Sequence, residues 1–260
     1  MSTTVELDQP TAVPISGLVV AAAAFYGLTA WAGETTLVLA LAVSMGVLAW
    51  GWAGALGLPT PRGTVAVLLV AGLSILISVY VPEQGAQMSL LPGALAVSIM
   101  AAFLHQLLRR DGRPRVAESV SSVVFALAVF TCSAFFVPLA STVAGVYFVV
   151  AALSAVAASV LVSLVFRRLP EPLAPWMVPA MVLVGGVVGG AIGALSVVSW
   201  ATLALVGVLA SGLSHAVRHA FSLLPTMAHA RPRTVVALAS VLIVGIIPYA
   251  AAQVFYPGAL

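Results

Sequence analysis

Nine apolar runs of roughly 20 residues follow one another along the chain, with only short polar gaps between them. They fall at about 15–32, 36–57, 64–82, 88–108, 117–139, 143–166, 176–197, 200–222 and 234–255. Each can cross about 30 Å of hydrocarbon as a helix, whereas a barrel strand would be roughly 10 residues of alternating polarity. The pattern therefore predicts an all-α fold, a polytopic transmembrane helix bundle of about nine spans. Residues 15–260 form one transmembrane domain. Residues 1–14, with Glu6 and Asp8 and no basic residue, read as a short disordered cytoplasmic tail rather than a signal peptide.

Charge orders the spans. All ten basic residues are arginines, and they sit in or beside alternate gaps: Arg62; then Arg109, Arg110, Arg113 and Arg115; then Arg167 and Arg168; then Arg218, Arg231 and Arg233. The intervening gaps carry Glu34, Glu83 or no charge. Short arginine-rich loops stay on the cytoplasmic side, which predicts a cytoplasmic N-terminus and a C-terminus outside. Trp31, Tyr80, Trp200, Tyr249 and Tyr256 then lie near outer ends and Trp176 near an inner one, as interfacial aromatics do.

Composition narrows the class further. The chain is 62% hydrophobic and 7% charged, too few polar groups to cover a water-soluble fold of 260 residues. A net charge of +3 spread over short loops does not describe a nucleic-acid surface; attraction to anionic lipid head groups at the cytoplasmic face accounts for it. Cys132 is the only cysteine, so no intrachain disulfide forms.

Proline and arginine recur at related places. Pro59 and Pro170 are 111 residues apart, the Arg-Pro-Arg triplets at 113 and 231 are 118 apart, and Pro138 and Pro248 are 110 apart. Spans 2–5 and 6–9 are thus a candidate parallel repeat. The plainer alternative is that both residue types collect at span ends. Gly245 and Pro248 predict a kink in the ninth span. Pro179 falls within the first turns of the seventh, where proline is tolerated. Phe221–Met227 reads as a short turn along the interface, broken by Pro225 and Pro232.

Chemistry is sparse. The centre of every span lacks Asp, Glu, Lys and Arg, which removes the buried carboxylate of most ion-coupled carriers and the lysine of a retinal protein. Aspartate-rich transferase motifs cannot be built from Asp8 and Asp111, and no Walker-type loop occurs. The remaining polar residues gather at the cytoplasmic edge. His105 lies one turn before Arg109 and Arg110. Glu118 follows Arg113 and Arg115, and His215, Arg218 and His219 close the eighth span. Such a set can clamp a phosphate or lipid head group, or simply cap helix C-termini. The His215/His219 pair at i, i+4 lacks a third metal ligand unless His105 or Glu118 reaches it, so neither a metal nor another cofactor is expected. Ser211 and Ser214 beside His215 lack the Gly-x-Ser-Gly frame of an intramembrane protease. Gly185, Gly189 and Gly193 line one face of span seven and predict close helix packing, with that span central in the bundle or at an oligomer seam.

The segment 105–115 with Glu118-Ser119-Val120, the Leu58–Gly63 loop and the Ser214-His215-Ala216 stretch resemble an uncharacterised family of multi-pass membrane proteins of actinobacteria. That resemblance implies a plasma-membrane protein of a GC-rich Gram-positive bacterium, and carries no activity. Three functional expectations follow. The first is a non-catalytic membrane subunit or scaffold for envelope processes, with a membrane-protein partner or self-association. The second is a transporter or flippase for a lipid or apolar molecule, and the third an inner-leaflet lipid-phosphate enzyme. Convergence of His105, Glu118, His215 and His219 would favour the enzyme, and a cavity between the halves the transporter.

Overall fold

The computed structural model describes residues 9–58, 61–81, 88–110, 112 and 115–257, with side chains from residue 15 onward. Arg113, Pro114, Asp111, Pro59, Thr60, Glu83 and the first eight residues lie outside the described residues. Eleven α-helices succeed one another among those described: α1 Gln9–Ala32, α2 Glu34–Ala55, α3 Pro61–Tyr80, α4 Leu91–Leu108, α5 Val116–Ala134, α6 Phe136–Leu139, α7 Val143–Phe166, α8 Met177–Ala194, α9 Trp200–Ser222, α10 Ala230–Leu242 and α11 Ile246–Phe255. They make nine apolar spans, the fifth from α5 and α6 and the ninth from α10 and α11. The chain is a polytopic all-α membrane protein. Its first helix begins at Gln9, so 9–14 is helical where a disordered tail was expected.

Local chemistry explains the breaks. Pro138 offers no N–H to the carbonyl of Ala134, and α5 ends there. Pro248 does the same to Val244, and a 3₁₀ stretch, Ile243–Gly245, separates α10 from α11. The kink read from Gly245 and Pro248 is therefore present. The two interruptions also meet. A Cβ on Gly245 would lie 2.0 Å from the Cys132 carbonyl oxygen, so only glycine lets the ninth span cross the fifth here. Elsewhere the punctuation is ordinary: Thr142 accepts from the Gly145 amide at 3.0 Å and starts α7.

Packing divides the bundle into a centre and two wings. The ninth span packs on α1, α2, α5 and α9, with α7 beside them. One wing is α3 with α4, the other α8 with α9. The ninth span is 61% buried, while the α8 span is 28% buried, so the glycine-rich helix is peripheral rather than central. Its glycines face inward nonetheless, against α9 of the same chain. The candidate repeat does not extend to packing. Among the described residues of spans 2–5 the third packs on the fifth, with at most marginal contact between the second and the fourth; in spans 6–9 the sixth packs on the eighth instead.

Large aromatic side chains lie in the interior. Trp52, Tyr26, Phe130, Phe136 and Phe148 are fully buried. Trp52 donates from Nε1 to the Ser122 carbonyl at 3.1 Å, the partner a buried indole needs. Most buried serines bond their own helix: Ser98 to Ala94 O at 2.7 Å, Ser133 to Phe130 O at 2.7 Å, Ser159 to Val156 O at 2.8 Å. Outward, Leu28, Val43, Leu73, Leu183 and Val187 are exposed, as a lipid-facing surface requires.

Candidate functional site: a basic cavity at the arginine-rich end

Helix ends bring the arginine gaps to one end of the bundle, where they form two separate groups. The first joins α3, α4 and α5. The His105 imidazole occupies the space beside Gly63, where a Cβ would stand 1.8 Å from its Cε1. Arg109 is buried and donates to Gln106 Oε1 at 2.7 Å. Arg115 forms an ion pair with Glu118 and donates to the Gly57 carbonyl at 3.0 Å. Its backbone φ of 54° is left-handed, a conformation costly for a residue with a Cβ, and these two contacts hold it there. Arg110 is exposed. This group is closed upon itself.

The second group surrounds a cavity of about 130 Å³ between α1, α7, α8 and α9. The end of α9 supplies His215, Arg218, His219 and Ser222; the end of α7 supplies Ser163 and Arg167; Ser16 comes from α1 and Met177 from α8. His215 and His219 lie parallel, 8° apart, with centroids 6.2 Å from one another, as the i, i+4 spacing dictates. Arg218 donates from Nη1 to Ser214 Oγ at 2.5 Å, while its Nη2 is buried without a hydrogen-bond partner. A guanidinium cannot neutralise itself by losing a proton, so an orphaned buried donor of this kind favours an anion. Among the described residues no carboxylate lines the cavity. Its volume exceeds the roughly 10–15 Å³ that one water needs several times over, so it has room for a polar group larger than water.

His105 and Glu118 are not among the lining residues, and both are engaged in the first group. The four-residue convergence required by the enzyme reading is thus not among the described contacts. Among the described residues no group of three or more His, Cys, Asp or Glu has metal-binding proximity. Ser211 donates to the Gly207 carbonyl at 2.8 Å, so it is spent on its own helix, and Ser214 holds Arg218.

Sequence reasoning missed several members of this site. Arg167, Ser163, Ser16 and Ser222 join it because α1, α7 and α9 are neighbours, which hydropathy does not encode. The available signal was that Arg167 and Arg218 both end spans running toward the arginine-rich side. Nearby, Arg231 stacks 3.5 Å over the Trp50 ring, and Arg233 donates to the Met227 and Ala228 carbonyls at 2.9 and 2.8 Å. Thr226 donates to the Ala55 carbonyl at 2.5 Å, and Phe221 and Met227 are buried. The Phe221–Met227 segment therefore tucks against the helix ends instead of lying along the interface.

Spans and cavity together define a multi-pass membrane protein with a basic recess at one end. The chain matches no protein-family description, no curated protein and no solved structure.

Proposed function

We propose that this is a non-catalytic integral membrane protein of the plasma membrane, a subunit or scaffold that grips an anionic lipid head group. Its arginine-rich end faces the cytoplasm, as the positive-inside rule favours. The observation that carries this reading is the cavity itself: two arginines and two histidines, no lining carboxylate among the described residues, and the Arg218 Nη2 donor without a partner. A phosphate there would accept charge-assisted hydrogen bonds from both guanidinium groups. Chemistry at the head group is less favoured, because Glu118 is paired with Arg115 and His105 packs over Gly63 of α3, away from the cavity. A carrier is also less favoured, since Trp52, Phe130, Phe136 and Phe148 are fully buried in the bundle.

Native mass spectrometry of the protein in mild detergent tests this. One retained anionic phospholipid, lost in Arg167→Gln and Arg218→Gln, is the expected result. Equal retention of phosphatidylcholine and phosphatidylglycerol would refute it. The same spectra report any stoichiometric protein partner, whose presence would identify the subunit role.

A further inference from the structure

The basic cavity holds more positive charge than its own chain answers. Arg218 gives Nη1 to the neutral Ser214 hydroxyl and keeps Nη2 buried without a partner. Neither Arg167 nor Arg218 is paired with a carboxylate among the described residues, whereas Arg115 of the first group is paired with Glu118. The hydroxyls add little to the supply of donors. Ser163 and Ser222 donate to the carbonyls of Val160 and His219, both at 2.6 Å, so their protons are already spent. Apart from the Ser16 hydroxyl, the donors left to a ligand are N–H groups of two guanidiniums and two imidazoles, those of Arg167, Arg218, His215 and His219.

We propose that this cavity selects a phosphate monoester, carried by a membrane lipid or by a small soluble molecule, over a phosphodiester. The proposal rests on the anionic head-group reading and narrows its ligand. Charge and acceptor count carry it. With the histidines neutral, two fixed positive charges remain, and a diester with its single negative charge leaves one of them uncompensated. A monoester carries about −1.5 to −2 at pH 7 and three strong acceptor oxygens. It cancels both guanidinium charges, and net charge is what makes a site withdrawn from water costly. Its third terminal oxygen also gives the imidazole N–H groups an acceptor of their own once the arginines have taken the other two. Esterifying that oxygen removes one charge and one strong acceptor together.

Lipid competition reads that difference. The full chain in mild detergent is given equal amounts of phosphatidic acid, its methyl ester phosphatidylmethanol, and phosphatidylcholine, with acyl chains of different isotopic mass. Native mass spectrometry then counts which lipid each molecule retains. Phosphatidic acid should exceed phosphatidylmethanol by roughly tenfold or more, what one charge-assisted hydrogen bond contributes. Arg167→Gln, at an exposed helix end, leaves one fixed charge; at raised lipid concentration it should retain the two esters about equally. Arg168→Gln, exposed and outside the cavity, should leave the wild-type ratio unchanged. A ratio lowered as much by Arg168→Gln would belong to general surface charge and would overturn the assignment. If both anionic lipids exceed phosphatidylcholine but equal one another, the monoester assignment fails and the head-group reading stands. A parallel titration with glycerol 3-phosphate and its methyl ester identifies the carrier. The same preference there, with none among the lipids, keeps the monoester and overturns the head-group reading. No discrimination in either series overturns both.

Discussion

Gly189→Ala is the sharpest probe of how the α8–α9 wing holds together. A Cβ at 189 would sit 2.1 Å from the Leu203 carbonyl oxygen and 3.3 Å from the Gly207 Cα. Ordinary contact begins near 3.4 Å, so the helices must separate by roughly 1 Å. A gap of that size forfeits about a quarter to a half of each dispersion contact across the seam. Overpacking of this kind costs about 1–3 kcal/mol, against which alanine recovers at most about 1 kcal/mol of helix propensity. With the full recovery the net loss is about 0–2 kcal/mol, up to a roughly 30-fold larger unfolding constant, and relative to an unstrained Gly→Ala change, which gains the same propensity, it is about 1–3 kcal/mol. Gly46→Ala is the matched control, because nothing lies within 4 Å of its Cβ position. Reversible unfolding in mixed micelles with increasing dodecyl sulfate measures both. The reasoning is refuted if Gly189→Ala unfolds at the same detergent fraction as Gly46→Ala.

Other perturbations follow from the same geometry. Gly245→Ala places a methyl 2.0 Å from the Cys132 carbonyl and should destabilise by about 1–3 kcal/mol in the same unfolding assay; wild-type behaviour would mean that the broken spans do not cross there. Trp52→Ala empties a fully buried site between Phe125 and Phe221 and should cost about 3–5 kcal/mol, whereas Trp52→Phe should cost less, about 0.5–1.5 kcal/mol for the lost indole hydrogen bond, since the Ser122 carbonyl keeps its bond within α5. Gly63→Ala should destabilise alone and be largely rescued by His105→Ala, giving a coupling energy of about 0.5–3 kcal/mol in a double-mutant cycle. Additive effects would show that His105 does not lie over Gly63.

What could be read from the residues alone divides along a physical line. Span number and placement were legible because lipid imposes a length and a polarity on each helix separately. The Pro248 break was legible too, since a missing N–H acts four residues away on the same chain. Pairing was not. Gly185, Gly189 and Gly193 announced a close approach, but a stripe of glycine does not say which helix arrives, and the partner proved to be α9 at the bundle's edge. Likewise His105, Glu118, His215 and His219 share a membrane depth, yet depth does not fix the angle around the bundle. The Arg167–Arg218 cavity depends on that angle.

Trp52, Phe130 and their neighbours enclose a centre that the ninth span completes, and this has a consequence for assembly. Helices insert in the order of their synthesis, so the most enclosed span is made after the other eight have entered the bilayer. Until it arrives, the faces of α1, α2, α5 and α9 that it covers must remain in contact with lipid. Ser44, Ser122, Ser133 and Ser211 on these helices are bonded to their own backbones, so waiting in lipid costs little at those positions, whereas Ser119 and Thr131 of α5 and Arg218 of α9 keep unpaired polar atoms. The chain can therefore hold its core open during synthesis and close it in one final step, when the weak point of the ninth span meets that of the fifth.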